Sequence, residues 1–215
     1  MLVDLSHAIE HGMITYAGLP APAISDFLTR EASRSHYAAG TEFQIGRIDM
    51  VANTGTYLDT PFHRFADGSD VAMIPIDAVA GLPAVLLRVK ARAIDAAAVA
   101  SLDLRGKALL IQTGWSRHWR TEAYFSNEHP FVTREAAEKL ARSGVRVVGI
   151  DASNIDDTSD LTRPAHTILL GASIYVVEHL TNLESLPDLG PIRFFAVPPK
   201  VRGLGSFPVR AFAMV

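Results

Sequence analysis

Short apolar runs rich in Val, Ile and Leu recur along the whole chain, and they constrain its fold more than any other feature. They cover residues 2–5, 43–52, 84–89, 108–112, 145–150, 174–177, 192–197 and 209–215, mostly with Gly, Pro or Asp at their ends. Runs of this length and composition predict strands. Within 43–52 the apolar residues Phe43, Ile45, Ile48 and Met50 change face between 45 and 48, which predicts a bulge near Gly46. Helices are fewer. Thr133 is a good N-cap for a helix over 134–143, with Glu135 in the first turn and Gly144 where it would stop. Ala136, Ala137, Leu140 and Ala141 form its apolar stripe. The alanine-rich segment 94–101 is a second candidate. Consecutive strands with few helices predict a mixed α/β class. No internal repeat, low-complexity tract or polar linker divides residues 1–215, so one domain is expected.

The formal net charge of −3 gives no basic footprint for nucleic acid. No apolar run approaches the roughly 18–20 residues that cross a bilayer. The opening MLVDLSHAIEHG has acids at Asp4 and Glu10 and lacks a signal peptide's basic end and apolar middle, so a cytoplasmic location is expected. Cysteine is absent, which excludes disulfides, zinc-thiolate sites and thiol nucleophiles. A metal here must therefore be held by His, Asp, Glu or weaker oxygen donors. The partner expected is a small-molecule substrate, and a symmetric homo-oligomer is the common arrangement for such chains.

Three segments concentrate chemistry. In VANTGTYLDTPFHRF (51–65), Asp59 and His63 flank Pro61, which stiffens the loop and disfavours a helix carrying an i,i+4 pair. A carboxylate and an imidazole aimed by a rigid loop suit a metal or proton-transfer site, although the same Gly and Pro residues also mark plain turns. In PAHTILLGASIYVVEH, His166 follows the polar loop LTRP and Glu178 closes an apolar strand. Such a Glu is either half-exposed or turned inward onto a cation, because burying it alone costs several kcal/mol. Alternation points His179 the opposite way. In GIDASNIDD, Asp151 ends a buried strand, where α/β folds commonly place site residues, but the acids beyond it read foremost as a solvated turn. Near the C-terminus, Lys200, Arg202 and Arg210 lie among glycines and prolines, as carboxylate binders or as surface charges. Trp115 and Trp119 read as core.

Together these segments resemble the cyclase-type metal-dependent hydrolases, the family that includes bacterial kynurenine formamidase and isatin hydrolase. The family signature His-x-Gly-Thr-His-x-Asp-x-Pro-x-His is matched by Asn53-Thr54-Gly55-Thr56-Tyr57-Leu58-Asp59-Thr60-Pro61-Phe62-His63. DLSH, QTGW, EAAEKL leading into GID, a His and a Glu twelve apart, and PVRAFA follow in family order, so the resemblance covers nearly the whole chain. It implies a swivelling β/β/α fold of mixed sheets with flanking helices. It implies metal ligands at Asp59, His166 and Glu178, a proton-transfer role for His63, and a substrate-contacting aromatic at Tyr16.

Two family ligands are replaced, by Asn53 and Tyr57. An amide oxygen binds zinc weakly, and a Tyr near its ordinary pKa of about 10 is neutral. One divalent ion, Zn or Mn, is therefore expected, with the second position absent. The implied activity is hydrolysis of a small amide, cyclic amide or lactone, with Tyr57 facing the developing oxyanion and Arg202 or Arg210 meeting a substrate carboxylate. A non-catalytic metal- or ligand-binding relative, and an isomerase or dehydratase on the same site, are the competing expectations.

Overall fold

The computed structural model describes residues 1–14, 16 and 18–215. In chain order its strands are β1 (Leu2–Asp4), β2 (Ala23–Leu28), β3 (Ile45–Asp49), β4 (Tyr57–Asp59), β5 (Ala80–Arg88), β6 (Ala93–Ile94), β7 (Ala108–Gln112), β8 (Phe131–Val132), β9 (Val147–Ile150), β10 (Tyr175–Glu178), β11 (Ile192–Phe195), β12 (Ser206–Pro208) and β13 (Phe212–Met214). The α-helices are α1 (Arg30–Ser33), α2 (Arg134–Ser143) and α3 (Pro164–Gly171). Nine strands form one mixed sheet in the order β1-β13-β11-β5-β7-β9-β10-β4-β12. Its centre, β5-β7-β9-β10, is parallel, and antiparallel strands flank it on both sides. The α/β class expected from the strand pattern is the one observed. Among the described residues, no helix is long and apolar enough to cross a membrane.

The central strands are apolar throughout because both sheet faces are covered. On one face Leu58, Leu110 and Val177 join a core with residues of β1, β11 and β13. On the other, Ile111, Ile150 and Val176 pack against Ala136, Leu140, Ala165 and Leu169 of α2 and α3. Helix α2 forms as its caps predict: Thr133 accepts from Ala136 N at 3.3 Å, and Gly144 adopts φ 79°.

Several local expectations are corrected. Segment 94–101 is not a helix. Ile94 is taken into β6, paired with Val132, and Asp95 then accepts from Ala98 N at 3.0 Å, closing a turn where a helix would start. The irregularity near Gly46 is real, but the extra residue is Phe27 on the facing strand, since Asp26 pairs Gly46 and Leu28 pairs Ile45. The terminal run 209–215 is a strand only over Phe212–Met214. The segment after LTRP is helix α3. Pro164 occupies its first turn, and the carboxylate of Asp156 accepts from Ala165 N at 2.6 Å and His166 N at 3.2 Å, serving as a remote cap.

Candidate metal centre

Strand register assembles the site. β4 lies between β10 and β12, with Asp59 opposite Val176 on one side and Ser206 on the other, and Tyr57 opposite Glu178. Directly opposed residues share a face, and alternation keeps Tyr57 with Asp59 and Val176 with Glu178. Because Val176 packs under the helices, Asp59, Tyr57 and Glu178 all face the helical side. Helix α3 brings His166 over them. Asp59 and Glu178 are completely buried.

His166 is the hub. Its Nε2 lies 3.5 Å from Asp59 Oδ2 and 3.5 Å from Glu178 Oε1, while Nδ1 is 2.6 Å from Asp156 Oδ2. Burial opposes charge on this imidazole, but the carboxylates of Glu178, Asp156 and Asp59 outweigh it and raise its pKa well above the ordinary value. Burial, reinforced by the charge of Asp59, pushes Glu178 up to about 7, against the opposing pull of His166. Burial also works against ionised Asp59, but the neighbouring imidazoles prevail and hold it below the usual range.

The remaining contacts of these acids are specific. Glu178 Oε1 accepts from Ile155 N at 2.6 Å, and Oε2 accepts from the Tyr57 hydroxyl. Asp59 Oδ1 accepts from the Ser206 hydroxyl and, at 3.4 Å, from the Asn53 amide. Asp59 Oδ2 is buried and has no hydrogen-bond partner among the described residues. A buried carboxylate oxygen without a hydrogen bond, close to an imidazole nitrogen, suits a divalent cation; the donor atoms within 4.8 Å of one another belong to Asp59, His63 and His166, and Glu178 adjoins them at 3.5 Å from His166 Nε2. The Asp156–His166 bond is the outer support that metal-ligating histidines commonly have. The residues therefore fit one such ion. His63, which ends a single 3₁₀ turn at Pro61–His63, presents a ring nitrogen within 4.8 Å of the ligand atoms of Asp59 and His166. Its Nδ1 is 3.0 Å from Ser206 Oγ. Ser206 gives its proton to Asp59, so it accepts from Nδ1–H and leaves Nε2 as the free lone pair.

A cavity of about 340 Å³ opens over this cluster, and Tyr16, Asn53, His63, His166 and Glu178 are among its lining residues. The Tyr16 hydroxyl meets Tyr57 at 3.3 Å and donates to Ser153 O, pinning the loop that carries it. Of the sequence-named residues, Asp59, His63, His166, Glu178, Tyr57 and Tyr16 are thus brought together. Arg202 and Arg210 do not line the cavity, and Arg210 is exposed and forms a two-pronged pair with Asp4 at 2.7 and 2.9 Å. Tyr57, expected to face an oxyanion, spends its one proton on Glu178. His179 is not turned away: the strand ends at Glu178, His179 adopts φ 58°, and its ring bonds Tyr124 at 3.1 Å and Tyr16 at 3.3 Å. The acidic segment beyond Ile150 is not a solvated turn at its key positions. Asp151 accepts from Thr113 N and Gly114 N at 2.8 Å each, and Asp156 supports His166. Sequence reasoning missed Ser206 altogether, since a lone Ser before Phe-Pro carries no motif.

With this geometry established, comparison places the chain. It is 29% identical over 211 residues to kynurenine formamidase from Bacillus cytotoxicus, covering 97% of this chain and 95% of that protein. A solved structure described as a potential metal-dependent hydrolase with cyclase activity superposes with TM-score 0.80 at 28% identity, covering 99% of this chain and 96% of that one. Isatin hydrolase A from Labrenzia aggregata shares the fold, with TM-score 0.83 at 23% identity over 100% of this chain and 93% of its own. Fold and relatives define the class as that of hydrolases. More narrowly, residues 3–157 match the family model described as "Putative cyclase", and the chain belongs to that family.

Proposed function

We propose that this protein hydrolyses a small amide, open or cyclic, or a lactone, using one divalent ion (Zn or Mn) held by Asp59, Glu178 and His166. The observation that carries this reading is the buried Asp59 Oδ2, without a hydrogen bond among the described residues, facing His166 Nε2, which also adjoins Glu178 Oε1. A divalent ion held there would supply Lewis-acid chemistry, acidifying a water and polarising the acyl carbonyl. Asp156 holds His166 with Nε2 turned to Asp59 and Glu178. Ser206 holds His63 with Nε2 free, and that nitrogen takes the proton of the attacking water and returns it to the leaving nitrogen or oxygen. An imidazole is the side chain suited to accepting and donating a proton in turn. Tyr57 fixes one oxygen of Glu178, and burial keeps its hydroxyl protonated. Asn53 and Tyr57 both donate to the site's carboxylates, which supports a single-ion site rather than a paired one.

The closeness of His63 to Asp59 and His166 favours one second reading, in which His63 is itself a ligand. His63→Ala separates the two. On the proton-transfer reading, turnover of N-formyl amines, cyclic imides or lactones falls at least a hundredfold while metal content stays near one equivalent. Parallel loss of metal and turnover makes His63 a ligand, and undiminished turnover removes it from the mechanism.

A further inference from the structure

Two guanidinium groups line the same cavity beside His63 and His166, those of Arg64 and Arg163. Neither takes part in an ion pair among the described residues. Both residues are held at the first turn of α3, Arg64 through its side chain and Arg163 through its backbone. Arg64 Nε donates to Thr167 Oγ1 at 3.1 Å, and Thr167 N donates to Arg163 O at 3.0 Å. The Arg64 guanidinium also lies over the Phe65 ring, 5.3 Å from its centroid. Arg163 precedes Pro164 with φ 48°, a backbone state uncommon outside glycine, and its Nη1 reaches Asp157 O at only 3.5 Å, the limit of a hydrogen bond. These contacts occupy Nε of one arginine and a single Nη of the other. The site's own acids do not use the rest: Asp156 is engaged with α3 and His166, Glu178 with Ile155 and Tyr57, and Asp59 with Ser206.

Two cations with donors to spare, lining a cavity whose one carboxylate, that of Glu178, is already engaged by Tyr57 and Ile155, form a receptor for an anion. We infer that Arg64 and Arg163 hold a carboxylate of the substrate, so that the substrate class is a small amide carrying a carboxylate. The inference rests on the hydrolase reading for the reacting end and on these two residues for the other end. A planar guanidinium offers paired N–H donors that match the two carboxylate oxygens, which a lysine would not. In the reaction the acyl C–N bond breaks, water's oxygen joins the carbonyl carbon, its proton goes to the nitrogen, and the carboxylate leaves unchanged. The carboxylate contact earlier expected from Arg202 or Arg210 falls to residues on the cavity wall.

The test compares formanilide with ring-carboxylated formanilides on the metal-loaded protein. The expected result is a preference for a carboxylated substrate expressed mainly in KM. In Arg163→Gln the ratio of kcat/KM, carboxylated over neutral, falls about tenfold, with a smaller fall in the more exposed Arg64→Gln, as loss of one ionic hydrogen-bond pair would give. A ratio unchanged in both variants overturns the inference, as does a wild-type enzyme that does not discriminate. Absence of turnover on any of these compounds tells against the hydrolase reading instead. The anion receptor is then read by calorimetric titration of benzoate against benzamide. Selective benzoate binding that is lost in R64Q/R163Q sustains it, and equal or no binding of the two overturns it.

Discussion

Replacing Asp156 by Asn tests the support beneath the metal centre with almost no change of shape. Asp156 is completely buried and accepts three hydrogen bonds, from Ala165 N at 2.6 Å, His166 N at 3.2 Å and His166 Nδ1 at 2.6 Å. An amide keeps only one accepting oxygen. If that oxygen stays on Ala165, the new NH₂ confronts two donors, and the imidazole escapes the clash by moving its proton from Nδ1 to Nε2. Nε2 is the atom facing Asp59 and Glu178, so the change removes the lone pair a cation needs. Losing two buried, charge-assisted bonds costs about 2–4 kcal/mol, a fall in Tm of roughly 5–15 °C for a chain of this size. Loss of this outer partner lowers metal affinity about 10- to 100-fold. Competition for Zn against a chromogenic chelator reads the affinity, and melting of the metal-free protein reads the stability on its own. If Asp156→Asn binds Zn within twofold of the parent, the Asp156–His166 bond is not what prepares the site, and the assignment of His166 Nε2 as a ligand loses its support.

Two further outcomes follow from contacts around the site. A Cβ on Gly205 would lie 2.4 Å from both Cα and N of His63, and neither backbone yields cheaply because Thr60 N and Oγ1 both bond Gly205 O. Gly205→Ala is expected to cost about 2 kcal/mol and to depress turnover by displacing His63; unchanged melting and kinetics would refute this. His7 stacks on Trp119 with centroids 3.8 Å apart, its Nε2 is buried without a hydrogen-bond partner among the described residues, and burial, aided by Arg120, lowers its pKa to about 4. The unfolded chain takes up this proton as pH falls through about 6.5, while the folded chain resists until about 4, so the stability is complete above that window and is lost on descending through it. The loss is on the order of 2 kcal/mol once partial exposure is allowed for. Denaturant unfolding between pH 7.5 and 4.5 should show a shallower decline in His7→Phe than in the parent, and equal slopes would dismiss His7 as the cause.

What the sequence makes legible here, and what it hides, follows from the range of the forces involved. Ala108–Gln112 reads correctly as a strand because a parallel strand covered on both faces must be apolar throughout. Arg134–Ser143 reads correctly because both its caps are local, at Thr133 and Gly144. Tyr57–Asp59 does not read as a strand: three residues with two polar side chains have no period, and only β10 and β12 on either side make it one. Helix α3 is hidden for a similar reason, since its cap, Asp156, lies well upstream and looks like part of a solvated acidic turn. The identities of Asp59, His166 and Glu178 are implied by the family resemblance, through the signature Asp and the later His and Glu twelve apart; the residues alone leave Glu178 open between a half-exposed and an inward position. Their division of labour is not, because it depends on which oxygen of each acid is already taken. Tyr57 and Ile155 N each take one oxygen of Glu178 and Ser206 takes Oδ1 of Asp59, so among the described residues Asp59 Oδ2 alone of the four is left toward His166 without a hydrogen bond. That selection is made by strand register, and it is also why Asn53 and Tyr57, poor ligands themselves, still shape the centre: they commit the outward oxygens and leave one direction open for a cation.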